Sequence, residues 1–231
     1  MRVWKPEVAM VRKRRTEEAV EADKSAVKTE IVLATRNHGK IMELRSLLKG
    51  MPIRVLSFLD FPGLPEVEED GKTFRQNAEK KAKAVAKATG CVAVADDSGL
   101  EVDFLGGAPG IRSARFAGEK ATDRDNVRKL LKMMDGVPWE QRGARFVCVA
   151  CAADPKGKTV FAEGVCEGAI GFEMRGTHGF GYDPVFVPKG YRVTLAEMDP
   201  ALKNRISHRA RAMAKFRALL DEFLFGSKKE R

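Results

Sequence analysis

The chain has 231 residues, 44% hydrophobic and 32% charged, which suits one large soluble domain or a two-lobed one with a real core. Its apolar runs are broken by charges or glycines well before the roughly 18 to 20 residues of a membrane span, so no transmembrane helix is expected. Forty-two Lys and Arg against 32 Asp and Glu leave a net charge of +10, which points to an anionic partner such as nucleic acid, membrane headgroups or a polyphosphate.

Residues 1–28 are charge-rich without clear periodicity and are expected to be a disordered extension or a loose helix. They lack the apolar segment of a secretory signal, and Glu17, Glu18, Glu21 and Asp23 argue against a mitochondrial presequence, so a cytoplasmic location is expected. "EIVLAT" reads as a buried strand. After the polar turn "RNHGK", Ile41, Leu44, Leu47 and Leu48 recur at helical spacing up to Gly50. "IRVLSF" is a second strand, and "FPGLPEVEEDGK" is a loop rich in Pro, Gly and acid. Thr73 caps a helix over "TFRQNAEKKAKAVAKATG", with Gln76 as the partner in a capping box and Gly90 as the stop.

"CVAVAD" is the next strand, followed by the glycine-rich "GLEVDFLGGAPG" and by a helix in "ATDRDNVRKLLKMMDG" that ends at Gly136. "ARFVCVACAAD" and "TVFAEGVCEGAI" flank "PKG" as a hairpin. The remainder is the loop and short strand "GFGYDPVFVPKG", then helical segments around "TLAEMDPALKN" and "SHRARAMAKFRALLDEFLF". Strands alternating with helices, plus the hairpin, predict an α/β mixed sheet. Cys91, Cys148, Cys151 and Cys166 sit in apolar runs and read as buried thiols; a strand would turn the two members of the single C-x-x-C to opposite faces, and no second pair follows at zinc spacing.

Five stretches are candidates for chemistry. "ATRNHGK" joins a strand to a helix, where backbone N–H groups collect anions, although it lacks the leading Gly and the Ser or Thr after Lys40 of a Walker A loop. The acids Glu68, Glu69 and Asp70 suit Mg²⁺ on a polyphosphate if the fold brings them to Asp97, and equally suit counter-charge for Lys80, Lys81 and Lys83. "GTHGFGYDP" combines a flexible backbone with Phe180, Tyr182 and Asp183, fitting a flat ring with polar edges or a plain turn. "KNRISHRA" gathers Lys203, His208 and Arg209 around a helix start at Ser207. In "VAVADD", strand parity places Asp97 with Ala93 and Ala95, leaving room for substrate or metal, and Asp96 with Val92 and Val94, turned toward packing. The partner expected for Asp96 is a set of backbone N–H groups in a "DSGLEV" turn.

Taken in order, "LATRNHGKIMEL", "EEDGKTFRQNAEKKA", "ADDSGLEVDFLGGAPGIRSARFAG", "GFGYDPVFVP" and "TLAEMDPALKNRISHRARA" resemble the inosine/xanthosine triphosphate pyrophosphatases, from about Ile31 to Leu220. The resemblance implies an elongated α/β fold, a mixed central sheet with two lobes and a cleft between them, in a single domain over 29–231. It also implies a homodimer and Mg²⁺ dependence. The implied reaction is hydrolysis of ITP, dITP or XTP between the α and β phosphates, which cleanses the nucleotide pool.

Carried onto this sequence, the family pattern puts Thr35, Asn37 and Lys40 on the triphosphate, with Arg36, His38 and Gly39 completing the loop. Asp97 becomes general base and metal ligand, Ser98 a substrate contact, one of Glu68 and Glu69 a second metal ligand, and Lys81 a support for phosphate or carboxylates. Phe180, Gly181, Tyr182 and Asp183 frame the purine, and Lys203, His208 and Arg209 reach its edge. Gln76 departs from the pattern, which usually has Glu, and is given no catalytic work. Donors at the purine edge would donate to a 6-carbonyl and be left unpaired by a 6-amino group, a basis for discrimination on the order of 10⁴. The competing readings are a basic nucleic-acid-binding protein, with no stable nucleic-acid partner expected under the main one, and a pyrophosphatase of other modified nucleotides.

Overall fold

A computed structural model describes residues 29–64 and 67–226. The expectation for residues 1–28 lies outside these. Six strands form one mixed sheet in the order β2-β1-β3-β4-β5-β6. They are β1 (Thr29–Leu33), β2 (Ile53–Ser57), β3 (Val92–Val102), β4 (Gly143–Ala153), β5 (Thr159–Ile170) and β6 (Phe186–Pro188). β1 pairs in parallel with β2 and β3, while β3–β4, β4–β5 and β5–β6 are antiparallel. The helices are α1 (His38–Leu47), α2 (Phe74–Thr89), α3 (Asp123–Met133), α4 (Pro200–Ile206) and α5 (His208–Phe225).

The long strands β3, β4 and β5 run through both lobes. In the first lobe α2 covers one face of the sheet, packing Ala78, Ala82 and Val85 on Ala93, Ala95, Val149 and Cys151. α1 and α5 cover the other, with Leu44, Met213 and Phe216 on Val94, Ala150 and Ala152. The far ends of the same strands, Leu100, Val102, Phe146 and Ile170, build a separate core with α3 and β6 in the second lobe. α5 can lie directly on β5 because residue 164 is glycine: a Cβ there would collide with the backbone of His208 and Ala212. That close approach sets the height of the α5 N-terminus above the sheet.

Local signals in the sequence account for most element ends. Asn37 caps α1 by accepting from Lys40 N, Thr73 caps α2 from Gln76 N, and Ser207 caps α5 from Ala210 N. Gly90 closes α2 in the left-handed region at φ 67°. All four cysteines are buried; Cys148 lies by Asp96 and Cys151 belongs to the α2-side core, so the pair does fall on opposite faces.

Three expectations need correction. "DSGLEV" is not a turn but the continuation of β3, which pairs with β4 without a break from Ala93 to Val102. Gly99 marks a crowded strand position: a Cβ there would stand 2.7 Å from Ser113 Oγ and 2.7 Å from the Phe74 ring. Gln76 does not complete a capping box, since its Oε1 accepts from Lys72 N, one residue before the cap, at 2.7 Å. Finally, helix α4 begins at Pro200, and the preceding "TLAEMD" is a turn in which Glu197 accepts from Thr194 N. No helix among the described residues is long and apolar enough to cross a membrane.

Candidate active site

A cavity of about 300 Å³ opens between the lobes. It gathers Thr35, Arg36, Asn37 and Lys40 from the β1–α1 loop, Glu69, Lys81, Asp97 and Ser98 from the α2 side and β3, Phe180, Gly181, Tyr182 and Asp183 from one loop, and Lys203, His208 and Arg209 from α4 and α5. His38 and Glu68, both exposed, do not line it. Gly39 lies behind the wall, so close to Phe180 that a Cβ would come within 2.6 Å of the ring.

On one side α2 presents polar groups from an otherwise alanine-rich face. Asn77 and Lys81 are four residues apart and therefore neighbours on that face. Asn77 Nδ2 donates to Asp97 Oδ2 at 3.0 Å, while its Oδ1 accepts from Gly71 N and steadies the acidic loop. The Lys81 ammonium donates to Glu69 Oε1 at 2.6 Å and lies 3.4 Å from Asp97 Oδ1. Burial pushes the Asp97 carboxyl above the ordinary carboxylate range, against the pull of Lys81 and Lys40. For Glu69 burial is the largest influence too, but Lys81, Lys40 and Arg115 outweigh it and the carboxyl is held low. Asp70 of the same loop pairs outward, meeting Lys80 at the surface.

Across the cavity the charges are locked together. Asp96 is fully buried and takes Arg209 Nη2 at 2.9 Å, Lys40 Nζ at 3.2 Å and Ser98 Oγ at 2.7 Å. These are its partners in place of the backbone N–H groups expected from a turn, because β3 stays extended and engages its own amides in the sheet. Burial would raise the Asp96 carboxyl, yet Lys40, Arg209 and Lys81 hold it far below the usual range. Glu43 of α1 bridges Lys203, at 2.7 Å, and Arg209. Asp183 accepts from Lys203 at 2.6 Å and from Phe180 N at 2.9 Å.

Arg209 has five N–H donors and uses four, on Asp96 twice, Glu43 and Ser98; Lys203 has three and uses two. His208 stacks on Phe146 with centroids 4.6 Å apart, and its buried Nδ1 has no hydrogen-bond partner among the described residues. Burial, then the Arg209 and Lys203 cations, keep its imidazole neutral well below the usual histidine value. Phe180 spans the space above this cluster, 4.9 Å from Lys203 Nζ.

The family model for the Ham1 family matches residues 31–219. The chain belongs to the Ham1 family. It is 54% identical over 192 residues to a protein of Desulforamulus reducens named dITP/XTP pyrophosphatase, covering 83% of this chain and 96% of that protein. A Bacillus licheniformis protein of the same name is 49% identical over 193 residues, covering 84% and 98%. Among solved structures, a HAM1 protein from Coxiella burnetii aligns with TM-score 0.77 at 41% identity, over 84% of this chain and 99% of that one. A nucleoside-triphosphatase / dITP/XTP pyrophosphatase from Mycobacterium abscessus aligns with TM-score 0.67 at 42% identity, over 81% and 98%. These solved relatives bear out the α/β mixed-sheet expectation.

Glu43, Asn77 and Phe146 were missed from the sequence. Asn77 carried a signal, a polar residue four before Lys81 on an alanine face; Glu43 carried none, its partners lying 160 and 166 residues away.

Proposed function

We propose that this protein hydrolyses non-canonical purine nucleoside triphosphates, dITP, XTP and ITP, between the α and β phosphates, releasing the monophosphate and pyrophosphate. The observation that carries the reading is one cavity with Asp97 and Glu69 meeting at the Lys81 ammonium on one side and Lys203, His208 and Arg209 gathered on the other. Thr35, Asn37 and Lys40, at the N-terminus of α1, take the triphosphate, where free N–H groups and the helix dipole favour negative charge.

Glu69 and Asp97 fit Mg²⁺: they meet at one ammonium in the cavity, and Mg²⁺ on a polyphosphate needs only one or two protein carboxylates. Glu69 is preferred to Glu68, which faces away from the cavity. No group of three His, Cys, Asp or Glu suited to a metal occurs among the described residues, so Glu69 and Asp97 are the protein groups that would hold the ion. When bound, the metal neutralises phosphate oxygens and acidifies water. Asp97 accepts the proton of the attacking water, oriented by Asn77 Nδ2; Lys81 keeps the two acids together. Lys40 steadies the departing pyrophosphate.

At the other end Phe180 covers the base. The remaining N–H of Lys203 and of Arg209 point the site toward a 6-carbonyl, which accepts, and against a 6-amino group, which leaves them unpaired. His208 stands beside them in the cavity wall. The molecule works as a homodimer in the cytoplasm on this reading.

The experiment is a product assay with Mg²⁺ on dITP, XTP, ITP, dATP, dGTP and dUTP. Pyrophosphate release from dITP and XTP with kcat/KM at least about 10²-fold above dATP is expected. Orthophosphate as product, or equal rates on dATP, would overturn it.

A further inference from the structure

Asp123 opens α3 directly after its Thr122 cap, a position where an acid ordinarily serves the helix dipole. Its Oδ2 also accepts the N–H of Gly181 at 2.8 Å, 58 residues along the chain, and Asp123 lines the cavity. Gly181, at φ +61°, lies between Phe180 and Tyr182. The preceding amide, Phe180 N, is held by Asp183, and the Tyr182 hydroxyl donates to Ser113 O at 2.9 Å. Two consecutive amides of the aromatic loop are therefore fixed by two carboxylates from different places. Asp183 is buried and neutralised by Lys203, whereas Asp123 is exposed at the rim and has Gly181 N as its hydrogen-bond partner among the described residues.

We propose that Asp123 is a positioning residue for the substrate purine: from α3 it tethers Gly181, holding the Phe180 ring across the cavity against Gly39, and so pre-forms the surface on which the base lies. The proposal rests on the assigned reaction. Phe180 belongs to none of the three hydrophobic clusters, and of the side-chain-to-backbone hydrogen bonds of its loop at 180–183, loss of the tether leaves those of Asp183 and Tyr182, beside the backbone bond from Ala196 N to Asp183 O. Ordering the loop would then be charged against binding of each substrate molecule. The acids around Lys81 stand on the α2 side, which Asp123 does not touch, so base binding suffers while the chemical step does not.

The test is steady-state kinetics with dITP and Mg²⁺ for wild type, Asp123→Ala, Asp123→Asn and Asp125→Ala. Asp125 completes the capping box of the same helix without touching the loop. Asp123→Ala is expected to raise KM about tenfold with kcat within about threefold, while Asp123→Asn, whose amide oxygen can accept the same N–H, stays within about twofold of wild type. Asp125→Ala is expected to lower Tm and leave KM unchanged. Hydrogen exchange over residues 180–183 reads the tether without substrate, and should be about tenfold faster in Asp123→Ala alone. A KM for Asp123→Ala within twofold of wild type, a loss confined to kcat, equal rises in all three variants, or unchanged exchange would each overturn the proposal. Wild-type enzyme inert toward dITP would instead fail the assigned reaction, and the exchange measurement would still decide the tether.

Discussion

On the α2 wall of the cavity Glu69 and Asp97 share the ammonium of Lys81, whereas on the α5 wall Asp96, Glu43 and Asp183 are met by Lys40, Lys203 and Arg209. The same side-chain types thus reach opposite ends. The first wall keeps an excess of negative charge, and Asp97 there is harder to ionise than a free carboxyl. The second is balanced, and Asp96 is ionised well below the ordinary range. A carboxylate with unspent basicity can accept a proton or a metal ion; one enclosed by cations can only hold a shape. Two adjacent residues of β3 face these two walls because successive side chains on a strand point apart.

Breaking each wall at its cation should separate stability from catalysis. Arg209→Met leaves the fully buried Asp96 with Lys40 and the partly buried Glu43 with Lys203 as their remaining cations, and is expected to cost about 3 kcal/mol in urea unfolding. Lys81→Met should cost less stability, because Glu69 is partly exposed and water can replace the ammonium, while removing most pyrophosphatase activity. Equal stability losses would mean that both walls are merely structural.

A smaller effect concerns pH. His208 on the α5 wall has its proton affinity lowered in the folded state, so the unfolded chain binds more protons as pH falls below 6.5. Stability from this group is fully present above that value and is lost as pH drops through the lower folded value. Asp96 and Glu43, also lowered, contribute in the same sense but only below their ordinary values of 3.8 and 4.5. Asp97 and Asp183, raised, act in the opposite sense. The difference between wild type and His208→Gln isolates the imidazole: the wild-type urea midpoint should fall more steeply from pH 6.5 to about 5. Parallel curves would place the imidazole in water.

What the sequence revealed follows the range of the interactions. The cap at Thr73 and the helix start at Ser207 act within four residues, and the strand parity of Asp96 and Asp97 is a property of neighbours, so both could be read directly. Gly99 misled because a glycine after Asp-Ser signals a turn, whereas here it answers crowding by Ser113 and Phe74, which only the folded chain supplies. Glu43 carried no local signal, because α4 and α5 bring Lys203 and Arg209 to it only in the folded chain. Asp123, likewise given no role by the sequence, meets Gly181 58 residues along the chain. The division of labour between walls depends on such distant pairings.

The most direct measurement is Mg²⁺-dependent pyrophosphate release from dITP by Asp97→Asn, run beside a thermal melt of the same sample. The amide keeps the size of the side chain and can still accept from Asn77, so the fold should hold with Tm near wild type, while kcat falls by about 10³-fold or more. A folded Asp97→Asn variant that turns over dITP within about tenfold of wild type would contradict the assignment of the chemistry to the α2 wall.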